Sequence, residues 1–348
     1  MNRLRERLRA AFERRLLRAW FDVRTRGLDP LARLLQPLTL LTGVVARRRR
    51  VRIRHLAPRD RPAVVVVGNL VAGGAGKTPL TIALARALSA RGLRVGLLAG
   101  GYRARRADAR LVGGSADPDA DGDEPVLLAR STGLPVAAGR RRDQALALLC
   151  AHHPGLDVVL SDDGLQHVGL ARSLELAVFD ARGAGNGLLL PAGPLREPLS
   201  DLDTMDALVL NGDAPPPRAH PRVFRFTIEA TGMRRLDGTE HCSPSAFAQR
   251  AGTARIAALA GIAQPARFFA TLRGIVGAFD AHALGDHAQI TPATIAALDA
   301  DLVVMTEKDA VKCAAFADPR CWALEVHARF DPALLTWLEE HLNGPSPA

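Results

Sequence analysis

The sequence predicts an α/β protein with two α/β domains joined by a β-ribbon, and three observations support this. From residue 63 onward, short apolar strands alternate with helical stretches, which is typical of a parallel sheet covered on both faces. Three consecutive prolines at 215–217 interrupt the pattern, and an alternating, ribbon-like segment follows them. A second series of strand and helix signals begins near residue 254.

The composition fits a folded protein of two ordinary cores. The chain has 348 residues, of which 48% are hydrophobic and 24% are charged. The four cysteines form no CxxC pair, so neither a zinc cluster nor a disulfide framework is expected, and a reducing cytoplasm is the expected compartment.

The positive charge is confined to the N-terminal part of the chain. Residues 1–62 contain 18 arginines and 5 acidic residues, a net charge of +13, so the remainder carries about −3 of the total of +10. A nucleic-acid enzyme more often spreads basic residues over its groove, and the aromatic content of 4% is low for base stacking. No nucleic-acid partner is therefore expected.

Residues 1–50 are predicted to form a basic, apolar docking arm. Its first half has apolar residues at helical spacing between arginines: Leu4, Leu8, Phe12, Leu16, Trp20 and Val23. The apolar stretch at 31–50 is too short and too interrupted for a transmembrane helix, and no signal-peptide pattern is present. Two interpretations remain, a helix packed on the protein's own core or docking on an anionic membrane surface, and the second is preferred.

The remaining elements follow from apolar runs and helical periodicity. Strands are predicted at 63–67, 94–99, 135–138, 157–161, 175–180 and 207–211, and helices at 78–90 and 142–152. Long loops are predicted at 101–123 and 182–199. The domain boundaries that result are a core at 51–213, a ribbon at 214–240 and a second domain at 241–348, whose C-terminal helix could return to the core.

A glycine-rich loop after the first strand predicts a phosphate-binding site. Glycines allow backbone N–H groups to turn toward an anion, the lysine reaches the outer phosphates, and the threonine hydroxyl suits magnesium. The following helix adds its positive end. The nucleotide-binding residues are predicted to be Gly73, Gly74, Ala75, Gly76, Lys77, Thr78 and Pro79. Val71 occupies the position at which the strict motif has glycine.

A buried strand that ends in Asp162 and Asp163 is predicted to supply the magnesium-orienting carboxylate of this P-loop NTPase-like domain. Adjacent side chains on an extended segment point in opposite directions, so at most one of the two faces the metal directly. Lys308 and Asp309 are one position out of register with the guanine-reading motif of GTPases. The predicted cofactors are therefore ATP and Mg²⁺.

Transfer of a phosphate to an alcohol requires a group that accepts the hydroxyl proton. The candidates are the acids of "DGDEP", namely Asp121, Asp123 and Glu124, and any histidine of the second domain. The spacing of these residues does not choose among them.

Seven segments in order resemble the tetraacyldisaccharide 4′-kinase family, the inner-membrane kinases of lipid A biosynthesis. The segments are "VGNLVAGGAGKTP", "GDEPVLLA", "SDDGLQHVGLAR", "GNGLLLPAGPLREP", "GIAQPARFF", "GDH" and "MTEKDAVKC". The resemblance extends over about residues 28–330. It implies a P-loop core with a smaller lid domain on a two-stranded linker, and ATP and Mg²⁺ as cofactors. The acceptor would be a tetraacylated glucosamine disaccharide 1-phosphate, and the product lipid IVA.

The resemblance also assigns roles to residues. Lys77 and Thr78 would hold phosphate and magnesium, Asp162 and Asp163 would belong to the metal site, and Asp123 would act as the catalytic carboxylate with His287. Substrate contacts are expected from Glu124, Gln166, His167, Asn186, Arg196 and Lys308. The protein would sit peripherally on the cytoplasmic side of the bacterial inner membrane, against anionic lipid.

One departure and one alternative accompany this assignment. Many relatives have an arginine where this chain has Gly100, so the arginine contact is expected either to be missing or to be supplied by Arg103 or Arg105. The alternative function is a membrane-recruited P-loop ATPase switch that acts on a protein partner.

Overall fold

The structure is a computed structural model that describes residues 12–13, 15–22, 28–56, 62–101, 104–286, 288–316 and 318–343. The chain forms two compact units. Unit 1 contains the chain up to Lys77, Asp157–Thr227 and the chain from Phe330. Unit 2 contains Thr78–Leu156 and Ile228–Arg329.

Helices and strands alternate along most of the described chain. The helices are α1 (Pro30–Leu35), α2 (Thr39–Arg50), α3 (Lys77–Ala90), α4 (Pro118–Asp121), α5 (Asp123–Thr132), α6 (Arg142–His152), α7 (Pro244–Ala251), α8 (Pro265–Val276), α9 (Pro292–Ala296), α10 (Glu307–Cys313) and α11 (Pro332–Asn343). The strands are β1 (Ala63–Gly68), β2 (Val95–Ala99), β3 (Arg110–Val112), β4 (Val136–Ala138), β5 (Val158–Asp162), β6 (Leu174–Asp180), β7 (Ala207–Asn211), β8 (Val223–Arg235), β9 (His241–Cys242), β10 (Ile256–Ala260), β11 (Asp280–Ala283), β12 (Leu302–Thr306) and β13 (Cys321–Phe330).

Unit 1 is built on a parallel sheet in the order β7-β6-β1-β5. Every residue of these four strands is buried, because both faces of a parallel sheet are covered. The register pairs Val67 with Asp162 and Asp180 with Asn211, so the polar residues at the strand ends share one edge of the sheet. The predicted α/β class and these predicted strands are confirmed.

The N-terminal segment, defined here as described residues 12–13 and 15–22, is helical through residue 21. Trp20 is 8% exposed, and its indole N–H donates to the carbonyl of Pro191 at 3.0 Å. Farther along, α2 leaves apolar side chains exposed, including Leu40 at 76% and Leu41 at 69%. The arm thus has one end packed on the protein and a second, apolar part exposed. Among the described residues, no helix combines the length and the hydropathy that crossing a membrane requires.

A buried ion network connects α2 to the sheet of unit 1. Glu175 of β6 is fully buried, and its carboxylate pairs with Arg172 at 2.9 Å and with Arg50 at the end of α2 at 2.8 Å. Arg172 is also fully buried and donates to the carbonyls of Leu165 and Leu170, both at 3.1 Å. The buried guanidinium of Arg172, whose charge Glu175 neutralises, therefore fixes the loop after β5 through its carbonyl groups.

Unit 2 contains two groups of strands. In the first, β2 and β4 are parallel and β3 joins β4 antiparallel. In the second, β11, β10, β12 and β13 are parallel neighbours, with β8 beside β13 and β9 antiparallel to β8. Apolar clusters cover the second group, one centred on Met305 and one on Trp322. The long strand β8 lies within the predicted ribbon segment at 214–240, whereas the ribbon linker and the domain boundaries stay a prediction.

The prediction of a long loop at 101–123 is wrong, because this stretch contains β3 and α4. Arg110 of β3 is only 8% exposed and binds the Asp121 carboxylate at 2.7 Å and the Asp121 carbonyl at 2.8 Å. This buried ion pair holds β3 against the end of α4, and the sequence pattern did not indicate it. The loop at 182–199 is confirmed, with a short 3₁₀ helix (Leu199–Thr204) starting at its end.

Replacing Glu175 with glutamine is expected to destabilise the protein by about 3–5 kcal/mol, because the substitution leaves the buried Arg172 without a carboxylate. Asp203→Asn is the matched control, since Asp203 forms an exposed pair with Arg218 and its loss is expected to change the stability little. Urea unfolding followed by circular dichroism measures both. Equal stability of the two variants would contradict the proposed importance of the buried network.

Candidate active site

Three side-chain donors bind three consecutive carbonyls of the phosphate loop in unit 1. Asn69 donates to the carbonyl of Gly73 at 3.1 Å, and Arg182 donates to the carbonyl of Gly74 at 2.9 Å. Asn211, at the end of β7, donates to the carbonyl of residue 75 at 3.0 Å. The peptide groups of the loop are thus fixed from one side.

This arrangement orients the loop N–H groups. A trans peptide is planar, and its carbonyl and N–H point in opposite directions. Holding the three carbonyls toward side-chain donors therefore directs the N–H groups of residues 74, 75 and 76 to the other side. Gly73 and Gly76 have φ values of 100° and 89°, which residues other than glycine rarely adopt. The result is a concave set of donors suited to an anion.

The valine at the motif's usual glycine position has a structural explanation. Val71 is 3% exposed and forms an antiparallel bridge with Leu195 of the loop at 182–199. The neighbouring N–H of Ala72 donates to the carbonyl of Pro194 at 2.7 Å. Residue 71 thus lies in bridged backbone with no positive φ, so a side chain is accommodated there.

Lys77 is positioned by polar groups of the same unit. Its Nζ donates to Oδ1 of Asn69 at 3.0 Å and lies 3.6 Å from Oδ1 of Asp163. Asp163 accepts from Nη1 of Arg196 at 3.1 and 3.2 Å, and the same nitrogen contacts Gln166 at 3.2 Å. Four of the predicted residues, Lys77, Asp163, Gln166 and Arg196, are therefore brought together in unit 1.

The two adjacent acids have different surroundings. Asp162 is 2% exposed at the end of β5, while Asp163 has a φ of 49°, the only positive value of a non-glycine among the described residues. The charge of Asp163 is already matched by two cations, Lys77 and Arg196. Thr78 and Pro79 are half-buried in the first turn of α3. Across the described chain no group of three metal-ligating side chains occurs, but nucleotide-bound Mg²⁺ needs only one or two protein ligands.

A cavity of about 250 Å³ lies in unit 1 beside these polar residues. Its polar lining consists of Thr42, Arg49, Gln166, Arg196 and Glu197, and its apolar wall of Val45, Ala46 and Leu190. Glu197 is 5% exposed, and burial raises the pKa of its carboxyl group. Its Oε1 accepts from Gln166 at 3.0 Å, and its Oε2 has no hydrogen-bond partner among the described residues. The cavity is amphiphilic.

Two predicted substrate residues have other surroundings. The amide of Asn186 donates to the carbonyls of Ala19 and Ala192 at 3.2 and 2.9 Å, and its oxygen accepts from the N–H of Leu188 at 3.1 Å. Asn186 thus organises the loop at 182–199. His167 is half-buried in the loop after β5.

In unit 2, α5 begins at Asp123, which is 7% exposed. Lys308 and Lys312 of α10 place their Nζ atoms 4.0 and 3.8 Å from Oδ2 of Asp123, and Lys308 also binds Glu124 at 2.8 Å. A helix N-terminus and two ammonium groups together favour negative charge at this position. His287, the predicted partner of Asp123, lies outside the described residues.

Three carboxylates stabilise the charged form of Lys308. Burial works against its charged form, but Glu124, Asp123 and Asp286 outweigh burial and raise the pKa of the lysine. Lys312 was not predicted. The spacing of four residues from Lys308 on a helix would have indicated it, because such residues share one face.

Asp309 has a structural role inside unit 2. It is fully buried and accepts from the N–H of Gly261 at 2.9 Å, from the hydroxyl of Thr306 at 2.7 Å and from Lys312 at 2.9 Å. A buried carboxylate with these three partners does not bind a guanine base. This agrees with the expectation that Lys308 and Asp309 do not form a guanine-binding motif. Asp309 instead holds Lys312 toward Asp123.

The neighbourhood of Gly100 differs from expectation. Arg142, which is 2% exposed, lies against this glycine, and a Cβ atom there would be 3.3 Å from its Nη2. Arg105 is 72% exposed and pairs with Asp117 at 3.3 Å on the surface. Arg103 lies outside the described residues. The buried arginine next to position 100 is therefore Arg142, which the sequence reasoning did not identify.

The roles of Asn69, Arg182 and Asn211 as donors to the phosphate loop were also not predicted from the sequence. All three lie at the carboxyl ends of neighbouring parallel strands: Asn69 follows β1, Arg182 follows β6, and Asn211 is the last residue of β7. In α/β sheets, ligands bind outside these ends. Polar residues at the ends of successive apolar runs were the available signal.

Replacing Asn69 with alanine is expected to weaken ATP binding roughly tenfold or more, because the substitution removes the hydrogen bonds to Lys77 and to the Gly73 carbonyl. Isothermal titration calorimetry with ATP and Mg²⁺ measures this. Gln249→Ala removes an exposed amide from α7 and is expected to leave the affinity within about twofold. Unchanged affinity in Asn69→Ala would contradict the assigned role.

A family model described as LpxK, tetraacyldisaccharide-1-P 4′-kinase, matches residues 31–343 of this chain. A tetraacyldisaccharide 4′-kinase from Bordetella parapertussis is 46% identical over 330 residues, covering 91% of this chain and 94% of the relative. One from Dechloromonas aromatica is 42% identical over 332 residues, covering 94% and 97%.

A solved structure shares the fold. It is the "apo" form of LpxK from Aquifex aeolicus in complex with ATP, at 2.2 Å resolution. The TM-score is 0.73 at 25% identity, and the likeness covers 90% of this chain and 99% of that chain. Because the family model and the relatives cover nearly the whole sequence, the chain belongs to the tetraacyldisaccharide-1-phosphate 4′-kinase family.

Proposed function

We propose that this chain transfers the γ-phosphate of ATP to the 4′-hydroxyl of a tetraacylated glucosamine disaccharide 1-phosphate, giving lipid IVA in lipid A biosynthesis. Membership of the kinase family supports the reaction, and the ATP complex of the Aquifex aeolicus relative supports the nucleotide.

The observation that carries the proposal is the connection between the phosphate loop and the amphiphilic cavity. Lys77 lies 3.6 Å from Asp163, Asp163 is bound by Arg196 at 3.1 Å, and Arg196 lines the cavity. An enzyme that hydrolyses ATP needs no second pocket beside its loop lysine. A polar pocket with apolar walls suits a sugar that carries acyl chains.

Lys77 and the loop N–H groups are assigned to the charge that develops on the transferred phosphate. A fixed array of donors stabilises this charge without reorganisation during the reaction. Lys77 is 9% exposed and is held by Asn69, so its position is set before the nucleotide binds.

Thr78 and Asp162 are the residues assigned to Mg²⁺. Their hydroxyl and carboxylate oxygens are the hard donors that this ion prefers, and Asp162 is buried at a strand end where it cannot turn freely. When bound, the ion neutralises part of the negative charge of the β- and γ-phosphates. Asp163 supports this site indirectly through its ion pairs with Lys77 and Arg196.

Asp123 is assigned as the group that accepts the proton of the 4′-hydroxyl. It is buried at the start of α5 and is flanked by Lys308 and Lys312, which fix the carboxylate. His287 is its assigned partner, as the family resemblance implies. Glu124 is held by Lys308 at 2.8 Å and is assigned to substrate contact.

Docking on the cytoplasmic face of the inner membrane is assigned to residues 30–51, from the start of α1 to the residue after α2. This region exposes a set of large apolar side chains: Leu34, Leu38, Leu40, Leu41, Val44, Val45 and Val51. Arg47, Arg48 and Arg49 lie in the last turn of α2, and basic residues near a membrane surface are attracted to anionic lipid. The same helix contributes Val45 to the cavity wall, which places apolar surface next to the assigned acceptor pocket.

Transfer is tested with γ-labelled ATP, Mg²⁺ and the tetraacyl disaccharide in detergent micelles. We expect label on the glycolipid, and Asp123→Asn is expected to reduce transfer by roughly 10²–10⁴-fold while ATP affinity stays near wild type. Asp119→Asn, an exposed acid near Asp123 in sequence, is the control and is expected to retain transfer. Label released only as inorganic phosphate would instead support the ATPase switch.

Membrane docking is tested by the double substitution Leu40→Ser and Leu41→Ser. Each exposed leucine contributes about 1.5–3 kcal/mol when buried, so partitioning onto anionic vesicles is expected to fall at least roughly tenfold. Leu111→Ser, at an exposed leucine of β3, is the control. Unchanged partitioning of the double variant in a sedimentation assay would exclude this surface.

A further inference from the structure

Arg182 connects the phosphate loop to the N-terminal segment. Its Nη2 donates to the carbonyl of Gly74 at 2.9 Å, and Nε and Nη2 bind the carboxylate of Asp180 at 3.0 Å each. Its Cζ lies 4.8 Å from the centroid of the Phe21 ring. The guanidinium is therefore held at its edge by Asp180 and over its face by Phe21.

The backbone around Phe21 is itself fixed. Trp20 is buried, its indole binds the carbonyl of Pro191 at 3.0 Å, and its own carbonyl accepts from the N–H of Asn186 at 2.8 Å. Gly185 approaches so closely that a Cβ atom there would lie 2.5 Å from the Trp20 carbonyl oxygen. The N-terminal segment is thus seated on the loop at 182–199 through specific contacts.

We infer that Phe21 is a positioning residue for the nucleotide site, acting through Arg182 on the Gly74 carbonyl. Asn69 and Asn211, the other two donors to the loop, are short side chains next to β1 and β7. Arg182 is longer and 22% exposed, so its orientation depends more on what covers it. A cation–π contact restricts the guanidinium to the plane in which it reaches Gly74.

Trp20 and Phe21 precede residue 31, at which the region matched by the family model begins. The inference rests on the proposed function only in taking ATP as the nucleotide.

The test compares ring and non-ring residues at position 21 in the full-length protein. Phe21→Leu keeps apolar volume but removes the π face, and it is expected to raise the Kd and the KM for ATP about two- to fivefold. The KM for the acceptor, kcat and partitioning onto anionic vesicles are expected to stay within about 1.5-fold. Phe21→Tyr is expected to restore ATP affinity. Phe12→Leu, at an exposed phenylalanine of the same segment, is the matched control.

A double-mutant cycle with Arg182→Gln tests whether the effect passes through the guanidinium. Phe21→Leu is expected to change ATP affinity by less than about 1.3-fold in the Arg182→Gln background. The inference is overturned if Phe21→Leu has no effect on ATP affinity, if its effect persists undiminished without Arg182, or if acceptor KM rises equally. Because the Kd for ATP is measured without acceptor, this result is independent of whether the phosphate is transferred to lipid or to water.

Discussion

The phosphate loop depends on the anchoring of its carbonyl groups. Residues 73, 74 and 75 each direct their carbonyl to a side-chain donor, and the planar peptide then turns the following N–H groups the opposite way. Without these three hydrogen bonds a glycine-rich segment would have many backbone conformations. Strand ends of the parallel sheet supply the donors, so the sheet of unit 1 is what makes the loop a binding site.

Ion pairs fix other side chains in both units. In unit 1, Lys77, Asp163 and Arg196 form a chain that ends in the amphiphilic cavity, and Arg172 holds the loop after β5 from inside. In unit 2, Asp309 orients Lys312 toward Asp123. The buried or partly buried charges of these two clusters are paired, which is the condition under which such charges are tolerated. This pairing gives the candidate catalytic groups defined positions.

The sequence predicted the strands of unit 1 and the phosphate loop because both are encoded locally, in apolar runs and glycine spacing. It missed β3 and α4, since Arg110 and Asp121 stabilise them through a pair that no periodicity marks. It missed Arg182 and Arg142 for the same reason, because their roles come from contacts with residues distant in sequence. The assignment of Asp123 came from family resemblance, and the ammonium groups beside it became visible only in the structure.

The most direct test of the anchored loop is a pair of crystal structures of the full chain, one free and one with ATP and Mg²⁺. We expect the carbonyls of residues 73, 74 and 75 to keep Asn69, Arg182 and Asn211 as partners in both structures, with the following N–H groups on phosphate oxygens. A loop that releases these donors, or turns a carbonyl toward the nucleotide, would contradict the proposed anchoring.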